Sequence, residues 1–203
     1  IRGWYIFISK ISINLYGATN TFILGIFTTD TIVGYYAIAE KVVRIITSLF
    51  APFYQTIYPH VVNIIKKPKN EAAQFLKRVF KYSLGISTIV FLLSISLGEF
   101  SFLLVFGEEA KNSINIFYIL SPLIIILPMA YLFFNVILLS YKLDKYFSKL
   151  YIIGAITNLS MIFILFQFLE EKIVAVSLSL LITELIITLL AYKLINEKKI
   201  TGN

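Results

Sequence analysis

Residues 173–192 read IVAVSLSLLITELIITLLAY, twenty residues with a single charged side chain, Glu184. At about 1.5 Å rise per residue such a helix is about 30 Å long, the thickness of a bilayer's hydrocarbon core. Being apolar on every side, it has no face to give to water, so it reads as a membrane span. Residues 150–169 repeat the pattern, and Glu170-Glu171-Lys172 turns one stretch into the next. Upstream, residues 114–140 carry Pro122 and Pro128, which remove helix donors and predict a kinked span. Residues 82–105 close at Gly107-Glu108-Glu109, and residues 4–28 and 33–58 form a predicted helical hairpin about Thr28-Thr29-Asp30-Thr31. The expectation is one all-α integral membrane domain over residues 1–203, a bundle of about six spans.

Composition agrees with this reading. Of 203 residues 59% are hydrophobic, 16% aromatic and only 14% charged, which excludes a soluble globule. Cysteine is absent and His60 is the one histidine, so disulfides, thiolate chemistry and a zinc site are excluded, and no metal or cofactor is expected. The loops are short and hold no nucleophile–base pair, Gly-rich phosphate loop, HExxH or paired carboxylates, so an enzyme is not expected. Asn158-Leu159-Ser160 matches a glycosylation acceptor but falls inside a span.

Eighteen Lys and Arg against eleven Asp and Glu give a net charge of +7, which in a soluble protein would raise nucleic acid as a partner. Here the charges report topology, and no nucleic-acid partner is expected. One side collects Arg2, the run from Lys66 to Lys81, then Lys142, Lys145 and Lys149, then Lys193, Lys198 and Lys199. The other holds Lys111 and Lys172 with Asp30, Glu108, Glu109, Glu170 and Glu171. Cytoplasmic loops concentrate Lys and Arg, so both ends are expected in the cytoplasm of a cytoplasmic-membrane protein. The chain opens Ile1-Arg2-Gly3-Trp4, without Met and almost at once in a span, which predicts a piece of a longer protein. Residues 70–80, with Asn70 as N-cap, set Phe75, Leu76, Val79 and Phe80 opposite Gln74, Lys77, Arg78 and Lys81, a connector expected at the headgroups. A role in docking onto anionic lipid or a cytoplasmic partner is the alternative.

Ionisable groups inside spans cost several kcal/mol (about) unless paired or wet, so they mark candidate pathways and sites. Lys10 is followed at helical spacing by Asn14, Gly17, Thr21, Gly25 and Thr28, which suits either a close helix seam or the wall of a watery cavity. Glu40, Lys41 and Arg44 interrupt the second stretch, and Glu40 and Arg44 share a face that continues through Thr47, Ser48 and Gln55. Arg44 falls roughly 16 Å along the span from Val33, near mid-membrane. An i,i+4 ion pair that only locks the bundle is one reading; a site for an anionic, phosphorylated substrate is the stronger. The substrate-binding candidates are therefore Lys10, Asn14, Glu40, Lys41, Arg44 and Gln55. Glu184, between Thr183 and Thr188, is a candidate ion-coupling acid or a satisfied interhelical bond. Tyr35, Tyr36, Tyr54 and Tyr58 are candidate sugar-stacking rings, with interfacial anchoring as the default; other aromatics are expected to face lipid or pack.

The stretch from Lys10 to Pro59 contains Leu24-Gly25, then VGYYAIAEKVVR at 33–44, then Pro52, Tyr54, Gln55 and Tyr58-Pro59. It resembles the bacterial O-antigen and polysaccharide flippases of the multidrug/oligosaccharidyl-lipid/polysaccharide exporter superfamily. The resemblance implies the C-terminal half of a protein of about twelve spans, whose two bundles of six face a central cavity. It further implies transport of an undecaprenyl-diphosphate-linked oligosaccharide, an O-antigen or capsular repeat unit, between leaflets during polysaccharide and lipopolysaccharide biosynthesis. Arg44, Glu40 and Lys41 then line that cavity, and the partners are the lipid-linked substrate, membrane lipid and the N-terminal half. The runner-up readings are a cation-coupled small-molecule exporter of the same superfamily, carried by Glu40 and Glu184, and a non-transporting membrane scaffold.

Overall fold

Apolar side chains on every face leave the backbone to satisfy itself within each helix, and the computed structural model, which describes residues 18–108 and 111–198, is helical with no strand among them. In chain order the helices are α1 (Ala18–Phe27), α2 (Asp30–Ser48), α3 (Ala51–Ile64), α4 (Lys69–Phe106), α5 (Lys111–Leu120), α6 (Leu123–Tyr131), α7 (Asp144–Phe168) and α8 (Lys172–Glu197). A π-helical turn, Leu132–Leu138, continues α6. Among the described residues α4, α7 and α8 are long and apolar enough to cross a membrane, and α5 with α6 and the π-turn makes a fourth, broken span bent by 49°. Most of the first expected span, with Lys10 and Asn14, lies outside the described residues.

The second stretch departs from the sequence reading: residues 33–58 are two helices, broken at Leu49-Phe50. Pro52 has no N–H to offer the carbonyl four residues back, and the turn closes instead on Leu49 N–H to Ile46 O (3.3 Å) and Phe50 N–H to Thr47 O (3.2 Å). The hydroxyls of Thr47 and Ser48 donate to the carbonyls of Arg44 and Ile45, taking up further acceptors at the break. The connector at residues 70–80 is likewise no separate helix. It forms the first turns of α4, whose 38 residues reach well past the ~30 Å core. Pro68, not Asn70, is its N-cap, and Gly107, at φ 72°, ends it.

Pro122 breaks the fourth span where it was expected to, leaving α5 and α6 joined by short-range bonds such as Ile124 N–H to Ser121 O (2.9 Å). Pro128 lies inside α6 just ahead of the π-turn. That turn is the centre of the bundle: Leu132, Phe134, Val136 and Leu138 are at most 1% exposed. α7 and α8 form the most extensive helix pair, an antiparallel hairpin. A Cβ on Gly154 would stand 3.2 Å from Ile187 Cγ2, so the hairpin closes around a missing side chain. Lys172 Nζ donates to Phe166 O (2.9 Å) and Leu169 O (3.2 Å) and sits 5.0 Å above the Phe166 ring, capping carbonyls that α7 leaves unpaired at its end. α4 flanks this core, and with only 11% of its apolar window buried it turns most of its side chains to lipid.

Candidate functional site

α2 divides two unlike spaces. Its Val42, Ile46 and Leu49 line an apolar cavity of about 270 Å³ shared with α4 and α5. Another face carries Arg44, Thr47 and Ser48 into a cleft of about 290 Å³, closed opposite by Tyr131 of α6, Asn135 of the π-turn, Tyr151 of α7 and Glu184 of α8. A smaller pocket joins Glu40, Arg44 and Glu184 beside it.

The helical repeat puts Glu40 one turn before Arg44, and the pair is made: Arg44 Nε and Nη2 donate to Glu40 Oε1 at 2.8 and 2.6 Å. The two side chains differ in access. Arg44 is 50% exposed, while Glu40 is 13% exposed, so the guanidinium faces the cleft with its counter-ion behind it. Glu184, buried on α8, adds a second acid that attracts the same guanidinium. A planar fork facing a cleft, held by a carboxylate rather than buried in one, is the arrangement that can accept a phosphate or diphosphate by exchange of partners.

Of the residues expected from sequence, Arg44 and Glu184 meet in this cleft and Glu40 adjoins it. Lys41 is exposed, one residue off the Arg44 face, and lines neither space. Gln55 is exposed on α3, beyond the break that carries α3 out of line with α2. Lys10 and Asn14 lie outside the described residues. Tyr36 and Tyr54 are fully buried and cannot stack on a sugar: Tyr36 accepts a bond from Asn20 Nδ2 (3.4 Å), and Tyr54 stacks on Tyr131 at 5.2 Å. His60 is exposed and lies against Phe75, 4.7 Å between ring centres. Among the described residues no group of His and acidic side chains is placed to hold a metal ion.

The opposite wall was not read from sequence. Tyr131, Asn135 and Tyr151 stand on three elements, and Asn135 reaches Tyr151 as a side-chain hydrogen-bond partner. The signal available was Asn135 itself, a lone amide in the apolar run LFFNVILL. Asn158, set aside as a glycosylation acceptor, is fully buried, and neither of its amide atoms finds a partner among the described residues.

Comparison with known proteins places these features in a class. Residues 1–65 match the family model described as polysaccharide biosynthesis protein. Over 208 aligned positions, 98% of this chain is 26% identical to a protein of Escherichia coli K12 that carries the name "Putative O-antigen transporter". The chain spans about half the length of that relative, 47%. No solved structure shows a significant match. The two matches support a member of the polysaccharide and O-antigen flippase family, and with the apolar helices they support a multi-pass protein of the inner membrane.

Proposed function

We propose that this chain supplies one helical bundle of a flippase that carries an undecaprenyl-diphosphate-linked oligosaccharide, an O-antigen or capsular repeat unit, across the inner membrane. The observation that supports it is the half-exposed Arg44 guanidinium at the polar cleft, in a chain whose relative is named as a transporter. The diphosphate takes Arg44 donors in place of Glu40, the first sugars lie against the Tyr131–Asn135–Tyr151 wall, and the polyprenyl tail stays in lipid. A second bundle closes the cavity from the other side. No covalent step is involved, in keeping with the relative's name as a transporter and not an enzyme.

Two carboxylates about one arginine also favour ion coupling as part of the cycle, with Glu184 as the acid that changes its occupant. In the intact protein, Arg44→Ala is expected to abolish surface polysaccharide while membrane abundance holds, since a charge-assisted contact to phosphate is worth about tenfold to a hundredfold in binding. Arg44→Lys keeps the charge without the fork and is expected to retain a fraction of export. Normal polysaccharide in Arg44→Ala would end the assignment. A scaffold with a dry interior is tested separately: cysteines at Thr47 and Ser48 that react with a water-soluble thiol reagent exclude it.

A further inference from the structure

At the lysine-rich end of the bundle, away from the polar cleft, α4 and α8 leave a crevice of about 80 Å³ between them. Its walls are Leu76, Lys77 and Phe80 of α4 and Tyr192 and Asn196 of α8, over Phe133 of the π-turn. The floor is aromatic: Phe80 lies 5.8 Å from Phe133 and 6.3 Å from Tyr192, and Phe133 lies 5.8 Å from Tyr192. Tyr192 is 45% exposed, so the crevice opens on the surface of the bundle. Around it, residues 66–81, 142–149 and 193–198 carry eleven Lys and Arg against three acids, so an anion is favoured over a zwitterion here.

An occupant that uses both features needs a phosphate for Lys77 and a hydrocarbon for the rings. A soluble phosphate leaves the aromatic floor bare, whereas a phospholipid satisfies both at once, and basic pockets between membrane helices at the cytoplasmic side bind such headgroups. We propose that this crevice is a binding site for an anionic phospholipid, with Lys77 on its phosphate and Phe80, Phe133 and Tyr192 seating the start of an acyl chain. It also gives the amphipathic first turns of α4 a purpose that the transport cleft does not, since those turns carry Lys77 past the core to headgroup depth.

The test counts lipids bound to the intact protein by native mass spectrometry after exchange with mixtures of phosphatidylglycerol and phosphatidylethanolamine. The parent protein is expected to retain phosphatidylglycerol selectively. Lys77→Gln is expected to reduce that retention about fivefold, and Asn196→Trp, which fills the crevice without altering charge, to reduce it as far. Lys145→Gln removes the same charge from the same end but not from the crevice, and is expected to leave retention intact. Equal loss in Lys77→Gln and Lys145→Gln would mean diffuse attraction to a basic surface and overturn the site. Unchanged retention in Asn196→Trp overturns it as well, and decides the matter alone if Lys77→Gln fails to fold.

Discussion

Arg44 gives two donors to one oxygen of Glu40, so the cation at the cleft is already partnered before any ligand arrives. A bare arginine would hold a diphosphate too firmly for a cycle that must let it go, and a resident carboxylate lowers affinity by offering the guanidinium somewhere to return. Glu40→Gln is therefore expected to bind a polyprenyl-diphosphate headgroup more tightly while slowing export, read as retained substrate and reduced surface polysaccharide in one strain. Stability should hardly move. Arg44 is half exposed, so the pair contributes at most about 1 kcal/mol after screening, and a thermal scan in detergent should shift by no more than about 4 °C. Weaker headgroup binding in Glu40→Gln would show instead that the carboxylate orients Arg44 for its ligand. Residues of this kind were legible beforehand because one helix carries both: the spacing of 40 and 44 suffices. Tyr131, Asn135 and Tyr151 were not, because they come together only when three elements pack, and nothing in the one-dimensional pattern sets an amide in α6's continuation beside a tyrosine in α7.

For the elements, Pro122 and the polar turns marked breaks that depend on a missing donor or on solvated side chains, and both are local properties. The division of residues 33–58 rests on the same chemistry at Pro52, yet hydropathy alone ran through it, since Leu49 and Phe50 are as apolar as a helix interior. The continuity of α4 through residues 70–80 was hidden for the opposite reason: a change from amphipathic to uniformly apolar looks like a boundary, though the backbone has no cause to stop. The α7–α8 hairpin offers the clearest element-level test. Adding a leucine at Gly154 drives into Ile187, where even a Cβ has 3.2 Å, so Gly154→Leu is expected to cost about 1–3 kcal/mol, seen as a lower melting temperature and faster amide exchange across both helices. Gly154→Ala asks Ile187 to yield by a few tenths of an ångström and should cost far less.

Across the whole molecule, the charges separate by end: the Lys-rich segments at 66–81, 142–149 and 193–198 gather at one side, and Asp30, Glu108, Glu170 and Glu171 at the other. Cysteines at Lys69, Lys145 and Lys193 are expected to be protected from a membrane-impermeant reagent in whole cells, and cysteines at Glu108 and Glu171 to react. The reverse pattern would invert the topology and place the crevice of α4 and α8 in the outer leaflet. The π-turn at 132–138 holds this arrangement together in a way that is a matter of arithmetic and not of chemistry. A residue removed from it would let the segment relax to the ordinary 3.6-residue repeat, rotating everything before it by about 100° relative to everything after. Tyr131 would leave Tyr54, and the two walls of the cleft would no longer look at each other. The number of residues in this stretch is thus itself a functional quantity: substitutions there act through size and polarity, but a single deletion would misalign the two halves of the site while leaving every side chain in them unchanged.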